Sequence, residues 1–160
     1  GDYKSKFNEI INTKLLLVCD KGFEEEAILR LSRVGFDNCL GYLDGGINSW
    51  TSHNSFDVIE SISADDLSKT IESISLIDVR KTGERSNGYL LNSKHITLDS
   101  FQDDLTKIDI KNKHYIHCAG GYRSMIACSI LKRNGYSAVV DVKGGFSSIR
   151  NSNFKIINNE

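Results

Sequence analysis

Tyr115-Ile116-His117-Cys118-Ala119-Gly120-Gly121-Tyr122-Arg123-Ser124 is the stretch that decides how the rest of this chain is read. A largely apolar run ends at Cys118, and two glycines and an arginine follow. Met125, Ile126, Ala127, Cys128, Ile130 and Leu131 then recur at helical spacing, with Gly135 at the end. A strand, a tight loop and a helix N-terminus in that order aim successive backbone N–H groups at one point, under the positive end of the helix dipole. A cysteine at the base of such a cradle is expected to titrate below an ordinary thiol and to act as a thiolate nucleophile. Arg123 supplies a planar clamp for an anion.

Working outward, the same pattern of strands alternating with helices predicts an α/β fold with a parallel sheet. Residues 3–12, with Tyr3, Phe7, Ile10 and Ile11, suggest a short amphipathic helix. Leu15 to Cys19 is a continuous apolar run of strand length, expected to be buried on both faces of a parallel sheet. Phe23 to Val34 has helical spacing, acids in its first turn, and Gly35 beyond its end. Cys39 to Leu43 predicts a second strand, and Gly45-Gly46 opens a short helix ending near Trp50. Further on, Ser63 with Asp66 resembles a capping box for a helix reaching about Ile71. Ser75 to Val79 predicts a buried strand, residues 81–93 a polar loop, His95 to Leu98 a short strand, and Phe101 to Lys107 a helical turn or two. Ala138 to Val142 predicts the last strand, and Gly144-Gly145 opens a last short helix.

An internal repeat runs through these elements. Cys19, Ala27, Leu31, Gly35, Phe36 and Gly45-Gly46 align with Cys118, Ala127, Leu131, Gly135, Tyr136 and Gly144-Gly145, at an offset of 99 or 100 throughout. Residues 57–114 precede the second cysteine strand, whereas residues 1–14 precede the first. The first copy is therefore expected to be an incomplete half of the same unit. The resulting division is 1–52 as a partial, degenerate unit, 53–56 as a linker, 57–152 as a full domain, and 153–160 as a tail.

Composition excludes several classes of function. Lysine plus arginine, 20, balances aspartate plus glutamate, 21, so no overall field favours nucleic acid or a membrane surface. No apolar run approaches the roughly 20 residues that span a bilayer. Four cysteines without close pairs do not suggest a disulfide framework or a zinc knuckle, and the opening residues show no signal-peptide pattern. A reducing, cytoplasmic setting is the expectation, and no metal or other cofactor is implied. The chain begins with Gly1 rather than methionine, as an excised piece of a longer chain would.

Residues 57–150 resemble a rhodanese (sulfurtransferase) domain, and residues 1–50 resemble the C-terminal half of another. Cys118 to Ser124 is similar to that family's cysteine loop, with arginine at the fifth place after the cysteine and serine next. Asp78-Val79-Arg80 followed by Glu84 and Gly88 is similar to its upstream signature. His95-Ile96-Thr97-Leu98 stands where His-Ile-Pro-Leu is frequent, with Thr97 in place of the proline. Val142-Lys143-Gly144-Gly145 resembles its closing signature, with Ile149 where tryptophan is common; Trp50 holds that place in the first copy. The wording around Gly121 and Gly35 also resembles the tandem rhodanese tail of bacterial fusion proteins, in which a metallo-β-lactamase-fold persulfide dioxygenase comes first. The resemblance thus implies such a domain upstream, although this chain carries no histidine-rich metal motif of its own.

What the resemblance implies for function is a transfer of sulfane sulfur through a Cys118 persulfide, from thiosulfate or glutathione persulfide to a thiophilic acceptor such as sulfite. Ala119, Gly120, Gly121, Tyr122, Arg123 and Ser124 are the expected substrate-binding residues. Arg123 is expected on the sulfonate of the donor and Ser124 on the thiolate. Asp78, Arg80 and Glu84 are expected to support the loop. His117 precedes the nucleophile on a strand and is expected to face away from the chemistry, and Cys128 to pack in the core. Cys19 is expected to be inactive, because Glu24 stands at its fifth place and acid there repels a thiolate. Two rival readings remain: a docking module with a vestigial loop, and a cysteine-based phosphatase. Phosphatase loops carry one more residue between cysteine and arginine, which favours sulfur here.

Overall fold

The computed structural model describes residues 12–70 and 74–158, and the chain divides into two compact units, Gly1–Asp57 and Val58–Glu160. The helix predicted over residues 3–12 lies, but for Asn12, outside the described residues, as does Ile71.

The first unit holds β1 (Leu15–Leu17), α1 (Glu24–Ser32), β2 (Cys39–Tyr42) and α2 (Gly46–Thr51). Strands β1 and β2 pair in parallel as a two-stranded sheet. The expected burial of Leu15 to Cys19 on both faces does not occur: Leu16 is 77% exposed, and Val18, Leu40 and Tyr42 are exposed as well. An apolar run is buried on both faces where helices cover both sides of a sheet. Among the described residues of this unit only Gly46 is buried. The pairing steps from Leu15–Cys39 to Leu16–Gly41, which leaves Leu40 as an extra, bulged residue. That bulge accounts for the fall in the repeat offset from 100 at Phe36 and Tyr136 to 99 at Gly45 and Gly144.

The second unit is built on a five-stranded parallel sheet in the order β3 (Glu60–Ile62), β8 (Val139–Val142), β7 (His114–His117), β4 (Ser75–Asp78) and β6 (Lys94–His95). Side chains alternate between its faces. Ile77, Val79 and Ile116 join Phe101, Ala127 and Leu131 in one cluster. Leu76 and Val142 join Leu67, Phe146 and Ile149 in another. Helix α5 (Tyr122–Arg133) covers the first face; α3 (Ala64–Lys69) and α6 (Gly145–Arg150) cover the second. Ser63 caps α3 as expected, its hydroxyl accepting from the Asp66 amide at 3.1 Å. The shorter Asp66 carboxylate accepts from the Ser63 hydroxyl itself, at 2.6 Å.

Two local expectations are corrected. The polar stretch 81–93 is not all loop. It contains α4 (Thr82–Arg85), where the Lys81 and Glu84 backbone and carboxylate bond reciprocally, and β5 (Tyr89–Leu90). Strand β5 pairs antiparallel with β9 (Ile156–Ile157), in the segment read as a tail. The helical turns expected over Phe101 to Lys107 are 3₁₀ turns at Leu98–Ser100 and Leu105–Lys107.

Candidate active site

The C-terminal ends of β4, β7 and β8 converge on one place, as open parallel sheets arrange their sites. Cys118 follows the last residue of β7 and is buried. Gly121, at φ 105°, turns the chain from the strand into α5. That left-handed conformation is open to glycine and strained for other residues. The Gly121 N–H donates to the Cys118 sulfur at 3.1 Å. Burial alone pushes the Cys118 thiol up. The Ser124 hydroxyl and the backbone N–H groups of Ser124, Gly121 and Gly120 outweigh it and hold the thiol below its usual value.

The carbonyl side of the nucleophile is fixed by α6. Phe146 N–H donates to the Cys118 carbonyl at 2.6 Å, and Ser147 N–H to that of Ala119 at 3.0 Å. A Cβ built on Gly145 would stand 2.5 Å from the Cys118 carbonyl oxygen, so only glycine permits this approach. Gly46 bears the same relation to the Cys19 carbonyl. The close glycine approach is therefore present in both copies. The chemistry around it is not: partial desolvation and the Glu24 and Asp20 carboxylates push the Cys19 thiol up.

Arg123 does not stand open for a ligand. Its Nη1 and Nη2 donate to the two carboxylate oxygens of Glu84 at 2.6 and 2.7 Å. The pair holds Glu84 down at about 2 and raises Arg123. Tyr122 is 81% exposed, and Ala119 contributes its carbonyl to α6.

Behind the loop lies a buried charged cluster. Asp78 accepts from Arg80 Nε at 3.0 Å and Nη2 at 2.7 Å, and from Arg85 Nη1 at 3.0 Å. Burial pushes the Asp78 carboxyl up, but the Arg80 hydrogen bonds win and its pKa is lowered. Arg80 also lies 3.7 Å over the Phe146 ring and donates to the Gly88 carbonyl. Asp78 and Arg80 thus grip α6 and the 84–88 turn and make no contact with the sulfur. His117 is buried between Asp78 and Phe146, with Nδ1 3.3 Å from the Cys118 carbonyl oxygen and Nε2 unpaired. Burial lowers its pKa to about 4, so it is neutral near pH 7 and its 3.9 Å approach to Asp78 is not an ion pair.

Sequence reasoning missed Asp141, Arg85 and Phe146. Asp141 is buried on β8, and Ser124 donates to it at 2.6 Å while standing 3.6 Å from the Cys118 sulfur. Its signal was a lone charge inside Val139-Val140-Asp141-Val142. Cys128 is buried in the core, where desolvation pushes its thiol up to about 12.

Residues 63–152 match the family model described as rhodanese-like domain. A putative sulfurtransferase of Bacillus subtilis, YtwF, is 34% identical over 91 residues, covering 54% of this chain and 86% of that one. The thiosulfate sulfurtransferase GlpE of Stutzerimonas stutzeri is 27% identical over 77 residues, 48% of this chain and 71% of that one. The chain spans 56% of the length of one uncharacterised Bacillus subtilis relative. The crystal structure of a rhodanese-like domain protein from Staphylococcus aureus superposes with a TM-score of 0.56 at 34% identity, over 62% of this chain and all of that one. The central parallel sheet flanked by helices is the fold of those structures.

Proposed function

The chain belongs to the rhodanese-like domain family, and we propose that its second unit is a sulfurtransferase in which Cys118 carries the sulfur. The names of relatives of low identity support a sulfurtransferase-type function. The observation that carries the assignment to Cys118 is its depressed thiol, with the Gly121 amide 3.1 Å from the sulfur.

The Cys118 thiolate attacks the outer sulfur of a donor such as thiosulfate or glutathione persulfide. A new S–S bond forms to Cys118, the donor's own bond to that sulfur breaks, and its electron pair leaves on sulfite or on the glutathione thiolate. The persulfide's terminal sulfur is an anion, and converging N–H groups stabilise it without a general base. A thiophilic acceptor then attacks the outer sulfur, and Cys118 leaves as thiolate. Neutral, buried His117 takes no part. The first unit has the strand, the helix and the glycine approach, but its cysteine is raised and faces Glu24 rather than arginine. We read it as a degenerate half-unit without turnover.

A sulfur donor and a small aryl phosphate, tried side by side with cyanide as sulfur acceptor, separate this reading from its rivals. Thiocyanate production abolished in Cys118→Ser supports it. Turnover of the aryl phosphate alone would make the protein a phosphatase, and turnover of neither would leave a docking module.

A further inference from the structure

Arg123 and Glu84 are neighbours at the rim, with side chains 27% and 37% exposed, so solvent and small anions reach both. Both terminal nitrogens of Arg123 are already taken by the Glu84 carboxylate, at 2.6 and 2.7 Å. A bidentate arginine–carboxylate pair has the geometry that an arginine offers to a sulfonate. The single positive charge of Arg123 lies between two negative ones, the Cys118 thiolate and Glu84. A dianion such as thiosulfate therefore meets a site whose cation is matched before it arrives. Glu84 is itself held by the Lys81 amide at 3.0 Å, so its carboxylate is placed by α4 rather than swinging freely.

We propose that Glu84 is a specificity-determining residue that occupies the anion place on Arg123, so that a sulfur donor with an anionic leaving group must displace it while one charged only on the sulfur it transfers need not. This rests on the sulfurtransferase reading of Cys118. The consequence is discrimination by charge. Thiosulfate and other doubly charged sulfur compounds bind with a penalty equal to the loss of the Arg123–Glu84 pair, and a persulfide on a neutral carrier reaches Cys118 with the pair intact. In the second case the Cys118 thiolate attacks the outer sulfur, the bond from that sulfur to the carrier breaks, the carrier leaves as thiolate, and the only donor charge that enters is the one on the transferred sulfur, which the loop N–H groups receive.

The test compares thiosulfate with the persulfide of 2-mercaptoethanol as donors, cyanide as acceptor, in wild type and Glu84→Gln. The expected result is a KM for thiosulfate lowered about three- to fivefold in Glu84→Gln, with kcat and both constants for the 2-mercaptoethanol persulfide held within twofold. Glu84→Asp, which keeps the charge, should retain the wild-type discrimination. An unchanged or higher thiosulfate KM in Glu84→Gln overturns the inference. An equal fall in activity on both donors also overturns it, by making Glu84 a mere brace for Arg123. Should Glu84→Gln fail to fold, the Glu84→Asp comparison and competition by sulfate against each donor decide. Sulfate inhibiting wild type equally against both donors counts against the proposal. No transfer to wild-type Cys118 from either donor is a different failure, that of the sulfurtransferase reading itself.

Discussion

Ser124 Oγ lies 2.6 Å from Asp141 Oδ1 and 3.6 Å from the Cys118 sulfur, so the hydroxyl beside the nucleophile is held by a buried acid. A hydroxyl has one hydrogen, so ionised Asp141 and the Gly121 carbonyl, 3.0 Å away, compete with the Cys118 sulfur for it and weaken its hold on the thiolate. Burial raises the Asp141 pKa. Once protonated, Asp141 becomes the donor and Ser124 can turn its hydrogen to the sulfur.

Asp141→Asn should therefore lower the Cys118 pKa further, because the new amide donates to Ser124 and removes a negative charge. Ser124→Ala should raise it, and also cost about 1–3 kcal/mol of stability by leaving Asp141 unpaired. The pH dependence of iodoacetamide alkylation at Cys118, followed by mass spectrometry, reads both shifts. Midpoints that stay together in the three proteins would remove Ser124 and Asp141 from the account.

The second unit should lose stability in acid in two stages. His117 titrates at about 4 in the fold and near 6.5 unfolded. The unfolded chain binds the extra proton between those values, so stability is whole above about pH 6.5 and falls by roughly 3 kcal/mol on the way to pH 4. Asp78 and Glu84 are both depressed, Glu84 to about 2, and their contributions are lost below about pH 4. Urea midpoints across pH 4 to 7 should slope in wild type and flatten in His117→Leu. A flat wild-type profile would contradict a neutral, buried His117.

Asp78→Ala should destabilise the second unit by about 3–5 kcal/mol, since Arg80 and Arg85 would lose the carboxylate that balances their buried charge. Denaturant unfolding measures it. A loss under about 1 kcal/mol would mean that the cluster is wetter than its burial implies.

The cysteine loop was legible because its signals are local: an apolar run, two glycines, an arginine at a fixed place, then helical spacing. The partners of that loop are not local. Glu84 and Arg123 are 39 positions apart, and nothing in the spacing of either says that they meet. Helix α4 hides in a polar stretch because its cap is made by Glu84 and the Lys81 backbone rather than by a serine or threonine. Leu15 to Cys19 announces a strand, but burial depends on what lies over the sheet, and there Leu16 and Val18 are left exposed. The repeat was visible from end to end, and the bulge at Leu40 gives the second of its two one-residue slips a physical cause.

Intact-mass measurement after exposure to thiosulfate or glutathione persulfide tests the central claim most directly. Wild-type protein should gain one sulfur atom, located at Cys118, and lose it to cyanide, while folded Cys118→Ser gains none. A sulfur adduct of equal size in Cys118→Ser, or none in the wild type, would contradict the account.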